Sequence, residues 1–125
     1  MEWKLPESDI VHEHHFPDFI NDDINYLFLG TFPGKEFTHP DYKYNPEDWF
    51  YSSSGNTFWD LIFYSLGDAK NDIRGRKSKE AILENNGFGI TDIIEKAQRI
   101  RNSNQDSNLY VTQIKDLRSI VDRCS

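Results

Sequence analysis

The chain has 125 residues, a formal net charge of −7 and aromatic side chains at 14% of its positions. That length sustains one hydrophobic core, so a single domain over 1–125 is expected. One cysteine, Cys124, excludes an internal disulfide and any multi-cysteine zinc or iron–sulfur site built by this chain alone. Residues 1–60 hold 12 acidic and 3 basic residues, whereas residues 61–125 hold 9 and 11. Such a balance argues mildly against a bulk electrostatic DNA-binder and leaves room for a local basic patch. No apolar signal region opens the sequence and no run approaches a membrane span. It therefore reads as soluble and cytoplasmic, with no membrane partner.

Residues 1–25 read as an irregular lead-in containing Pro6, Pro17 and the histidines His12, His14 and His15. Carboxylate or cysteine partners at zinc-site spacing are lacking, so the histidines are expected to be solvated loop side chains, not metal ligands. Asn21-Asp22-Asp23 is a turn feeding a short apolar run, Tyr26-Leu27-Phe28-Leu29. Unbroken and bounded by turn residues, this run suits a strand buried on both faces of a parallel sheet. Gly30 removes a side chain at the strand's end, where a ligand or another backbone can approach. Pro33 presets the first central position of a turn, and Gly34 can take the positive φ that a type II turn needs next. In open α/β sheets, the space outside the carboxyl end of such a strand is where ligands bind.

Residues 35–55 read as a long loop, and its six aromatics (Phe37, Tyr42, Tyr44, Trp49, Phe50, Tyr51) argue for order and a role in forming a site. A helix is expected from Thr57 to Leu66, with Phe58, Leu61, Ile62 and Leu66 on one face, Asn56 or Thr57 as its cap and Gly67 as its stop. The segment 68–79 carries Lys70, Arg74, Arg76, Lys77 and Lys79, which is either a phosphate-contacting loop or a solvated basic turn. A short helix from Ser78 to Asn86 stops at Asn85-Asn86-Gly87. Phe88 to Ile94 reads as a second buried strand, 95–107 as a polar loop, and Asn108 to Arg123 as a last helix. The order of elements is α/β.

Four stretches fall in the order of the uracil-DNA glycosylase superfamily: His15-Phe16-Pro17-Asp18-Phe19-Ile20, Leu27 to Gly34, Phe50 to Trp59 with its Asn56-Thr57-Phe58-Trp59, and Gly89 to Ile94. The chain most resembles the mismatch-specific and hypoxanthine-DNA glycosylase branches. That resemblance implies a three-layer α/β/α fold with a parallel central sheet. It also implies a metal-free, cofactor-free, monofunctional enzyme that flips a deaminated base, uracil or hypoxanthine, out of DNA and hydrolyses its N-glycosidic bond. Aromatic side chains would replace the stacking the base loses, and fixed donors would stabilise the charge that develops.

Carried over by residue, the resemblance makes Asn56 the catalytic candidate, although an N-cap role suits it equally well. Phe32 stands where mismatch-specific members have a water-positioning asparagine. Gly30, Thr31, Phe32, Pro33 and Gly34 would cradle the base or sugar. Phe50 or Tyr51 would stack on the base, or else belong to the core, and Asp92 would read the base edge or cap a turn. Arg74, Arg76 and Lys77 are the candidate phosphate contacts. Nothing in the sequence matches the late motif and further parallel strands of the family. Three consequences are open: a fragment, a sheet completed by a second copy of the chain, or a relative that binds nucleotide or nucleic acid without chemistry. A flavodoxin-like phosphate-binding domain is a weaker reading of the same strand and turn.

Overall fold

The computed structural model describes residues 10–53, 55–66, 75–99, 104–105 and 108–123. Among the described residues nine elements follow in order: β1 (Val11–Glu13), β2 (Tyr26–Gly30), α1 (Lys35–Thr38), α2 (Phe58–Ser65), α3 (Arg76–Asn85), β3 (Phe88–Asp92), β4 (Ile94–Arg99), β5 (Leu109–Ile114) and α4 (Leu117–Arg123). The class is mixed α/β, as expected. The sheet is not the expected parallel one. β2 and β3 form a parallel pair in the register Tyr26↔Phe88 to Gly30↔Asp92. The larger sheet, β1-β4-β5, is antiparallel throughout.

Only Ile93 separates β3 from β4, so the two sheets are joined through one nearly continuous strand. The N–H groups of Ile93 and Ile94 donate to the carbonyls of Gly30 and Thr31, and Lys115 N–H donates to the Ile93 carbonyl. On β3, Phe19 and Ile90 exchange backbone bonds of 3.0 and 2.9 Å.

Two elements replace what the sequence suggested as loop and helix. Residues 95–99, expected in a polar loop, belong to β4, which begins at Ile94. Its alternation is masked because register shifts interrupt it near Lys96 and because one inward position is Arg99. The segment from 108, expected to be one helix, is β5 followed by α4. Leu109-Tyr110-Val111-Thr112 suits a strand, and Asp116 starts the helix by accepting from Ser119 N–H at 3.1 Å and Ser119 Oγ at 2.8 Å. β2 is not buried on both faces either: Tyr26 is 64% and Leu29 47% exposed, since only β3 pairs with it among the described residues.

The core is aromatic. Phe16, Phe37, Trp49, Phe50, Trp59 and Phe63 are buried together with Ile62, Ile82, Leu83 and Ile90. Trp49 and Trp59 stack with centroids 5.7 Å apart, and Trp59 Nε1–H donates to the Phe50 carbonyl at 2.7 Å. That bond turns α2 so that Trp59, Ile62 and Phe63 face inward, while Leu61 of the expected face is exposed. Gly67, its expected stop, lies outside the described residues.

Candidate active site

The expected site residues sit on three separate stretches: the end of β2, the loop before α2 and the end of β3. Gly30, Thr31, Phe32, Pro33, Gly34, Tyr51, Asn56 and Asp92 line one cavity of ≈ 320 Å³ together with Phe37 and Ser53. The parallel register explains part of this convergence, because Gly30 and Asp92 are partners at the carboxyl ends of β2 and β3.

Gly30 leaves room for two side-chain oxygens. A Cβ there would collide with Asp92 Oδ1 and with the Tyr51 hydroxyl, so both oxygens lie against its α-carbon. Gly34 differs from expectation: its φ is −58°, not positive, and its carbonyl accepts from Phe37 N–H at 2.9 Å to start α1. Tyr51 carries the local strain instead, with φ of +56° and its ring stacked on Phe58 at 4.1 Å. A bulky residue in that region costs on the order of 1–3 kcal/mol, and such strain clusters at functional sites.

Asn56 is exposed, and its Oδ1 accepts from Phe58 N–H at 2.8 Å. It therefore satisfies the N–H of the first α2 residue from one position before the N-cap, Thr57, whose own side chain makes no capping bond. With Oδ1 so engaged, the donors it can offer to the cavity are on Nδ2. Phe50 is not in the cavity. It is 1% exposed and packs within 5.6 Å, ring to ring, of His14, Phe16 and Trp49.

The histidines also depart from expectation. His12 and His14 are buried, at 0% and 7% exposure. His14 Nε2 lies 2.8 Å from Asp92 Oδ2, and His14 Nδ1 accepts from Phe16 N–H at 3.2 Å. His12 Nδ1 bonds Thr38 Oγ1 at 2.8 Å. His15 is half-buried and stacks on Tyr42 at 5.3 Å. The overlooked signal is period two: His12, His14 and Phe16 point inward while Val11 and Glu13 point out.

Arg99 was also missed. It is 1% exposed, its Nη2 donates to the Pro33 carbonyl and, at 3.1 Å, to Thr38 Oγ1. Its guanidinium lies 5.1 Å from the Phe32 ring centroid. It thus fixes the Phe32–Gly34 wall of the cavity from β4.

Of the three phosphate candidates, Arg74 lies outside the described residues. Arg76 is engaged within the fold: Nε to Glu80 at 3.0 Å, Nη1 to the Tyr44 hydroxyl at 2.9 Å, and the guanidinium over Trp49. Lys77 is exposed. Lys79, half-buried over Trp59, has its ammonium held below the usual lysine range by burial, against the opposing charge of Glu47.

A larger cavity of ≈ 580 Å³ is lined by His14, Asp18, Glu95, Lys115 and Asp116 among others, and by none of the expected site residues. Burial alone would raise the Asp18 carboxyl. Hydrogen bonds from Thr91 and Lys115, with the Lys115 charge 2.9 Å away, outweigh it and hold the group below its ordinary value. Asp18 and Lys115 thus neutralise each other there.

No family model matches the chain. A hypoxanthine DNA glycosylase of Methanosarcina acetivorans is 27% identical over 101 residues, covering 81% of this chain and 58% of that protein. A solution NMR structure described as a candidate uracil DNA glycosylase, also from Methanosarcina acetivorans, has a TM-score of 0.67. The chain resembles the uracil-DNA glycosylase superfamily in both sequence and fold. In the structural match the identity is 23%, over 92% of this chain and 65% of the other, so that match speaks to fold alone. The chain therefore spans less than two thirds of the length of either relative.

Proposed function

We propose that this chain is a DNA glycosylase-like domain whose smaller cavity takes a deaminated base, uracil or hypoxanthine, extruded from DNA. The observation that carries the reading is convergence. The turn after β2, the loop holding Tyr51 and Asn56, and Asp92 at the end of β3 are three stretches separate in sequence that line one cavity.

The chemistry suits these groups. A base outside the stack loses π contacts that Phe32 and Tyr51 can replace. Hydrolysis adds a hydroxyl to C1′ and a proton to the departing base nitrogen, and negative charge builds on that base before the proton arrives. The Asn56 Nδ2 donors would stabilise that charge or hold the attacking water, with the amide oriented by its bond to Phe58 N–H. Arg99 and the β2–β3 register keep the Gly30–Gly34 turn rigid, so little reorganisation is required at the moment of reaction.

A second reading is binding of DNA or nucleotide without chemistry. Phe32, an apolar ring on the cavity wall, favours it, since it cannot position a water. Base excision from labelled oligonucleotides carrying uracil, hypoxanthine or xanthine, with alkali cleavage of abasic sites, separates the two. Product formation supports the glycosylase. Tight binding with no product at stoichiometric protein favours the second reading.

A further inference from the structure

His14 and Asp92 join β1's flank to the end of β3 through a buried contact that the sequence did not suggest. Phe16 N–H donates to His14 Nδ1 at 3.2 Å. That backbone donor leaves the ring proton on Nε2, so the imidazole donates to Asp92 Oδ2, 2.8 Å away. The ring has little room to turn: Phe16 stands edge-on at 5.9 Å, with Phe50 at 5.6 Å and Phe32 at 6.4 Å. Asp92 is 4% exposed, and its second oxygen, Oδ1, lies against the Gly30 α-carbon beside the Tyr51 hydroxyl at the cavity.

We infer that His14 is a positioning residue that presents Asp92 Oδ1 to the cavity as a fixed acceptor, and so selects bases bearing a ring N–H beside a carbonyl. The inference rests on the glycosylase reading and deepens it. Deamination turns the bare N1 of adenine into the N1–H of hypoxanthine, and the bare N3 of cytosine into the N3–H of uracil. A carboxylate oxygen accepts from that new N–H and repels a bare ring nitrogen. The proton introduced by deamination is thus the feature this oxygen can read. Sites built to hydrogen-bond a substrate group reject analogues lacking it far more strongly than apolar pockets do.

The test measures kcat/KM and, by fluorescence anisotropy, Kd for single-stranded oligonucleotides carrying hypoxanthine or adenine. Single strands remove the cost of unpairing from the comparison. The variants are His14→Gln, whose Nε2 reaches the place of the imidazole Nε2–H, His14→Phe, which keeps a ring without the donor, and Asp92→Asn, which puts a donor in the cavity. Selectivity for hypoxanthine over adenine should fall at least tenfold in His14→Phe and Asp92→Asn, and stay within threefold of wild type in His14→Gln. A merely structural role would lower both substrates together and leave the ratio unchanged.

Selectivity unchanged in His14→Phe overturns the inference while leaving the glycosylase reading intact. If that variant does not fold by circular dichroism, Asp92→Asn and His14→Gln decide. Unchanged selectivity in Asp92→Asn, or lost selectivity in a folded His14→Gln, overturns it. Wild-type protein that neither excises nor binds hypoxanthine removes the underlying reading and this inference with it.

Discussion

Gly30 and Asp92 are register partners across the parallel β2–β3 pair, and the Asp92 carboxylate lies where a Gly30 Cβ would project. Both oxygens that fill this space, Asp92 Oδ1 and the Tyr51 hydroxyl, are the ends of side chains that can swing away. Gly30→Ala should therefore fold, with a stability loss of about 1–2 kcal/mol. Its carboxylate would leave the His14 bond, and excision should fall at least tenfold. Circular dichroism melting and single-turnover excision measured together check this. Wild-type excision by a folded Gly30→Ala would show that the Asp92 position does not matter.

The proposed catalytic role of Asn56 can be separated by substitution from the bond it makes at the start of α2. Its Oδ1 satisfies the Phe58 N–H, so Asn56→Ala should cost about 1 kcal/mol. Asn56→Asp keeps the acceptor and removes the Nδ2 donors. It should melt within a few degrees of wild type and lose excision by about a hundredfold, the usual effect of deleting one stabilising donor. An active Asn56→Asp would reduce Asn56 to a helix cap.

Arg99 should resist even its conservative replacement. Its guanidinium serves the Pro33 carbonyl and the Thr38 hydroxyl from a fully buried position, and a lysine ammonium cannot reproduce that fork. Arg99→Met and Arg99→Lys should each lose about 2–4 kcal/mol, with Tm lower by roughly 10 °C. Thermal unfolding gives the answer, and an Arg99→Lys protein as stable as wild type would refute the arrangement.

Asp18 gives a pH signature. Its carboxyl is held below the ordinary value of 3.8 by Thr91 and Lys115 despite burial. A depressed carboxylate contributes stability that is fully present above that ordinary value and is lost as pH falls through the lowered folded value. Wild-type protein should thus lose stability on acidification below about pH 4, and Asp18→Asn should show a shallower slope there. At pH 7 the variant should be less stable by about 1–2 kcal/mol. Urea unfolding at pH 3 and pH 7 measures both, and parallel slopes would contradict the linkage.

These positions show how much was legible beforehand. The apolar run at Tyr26, the Gly30 and Pro33 punctuation and the Asn56 start signal are local features, and they led to the cavity that the structure forms around them. The parallel β2–β3 pair followed from the same local pattern. The antiparallel β1-β4-β5 sheet did not, because its inward positions include His12, Arg99 and Ala97. Polar or small residues at core positions erase the alternation by which a strand is recognised. Tertiary contacts also overrode local expectation: Phe50 reads as a loop aromatic but is drawn into the core beside Trp49 and Trp59. Arg76 and His14 follow the same rule, since partners distant in sequence (Tyr44 and Asp92) decide what each side chain does.

The central claim is that the cavity between Gly30 and Asn56 receives a base extruded from DNA. ¹⁵N-labelled protein titrated with a hypoxanthine-containing oligonucleotide, against the same strand carrying adenine, tests it most directly. Amide shifts concentrated at Gly30, Thr31, Phe32, Gly34, Tyr51, Asn56 and Asp92, and larger for hypoxanthine, are the predicted result. Shifts confined to the cavity around Asp18 and Lys115, or identical for the two strands, would contradict it.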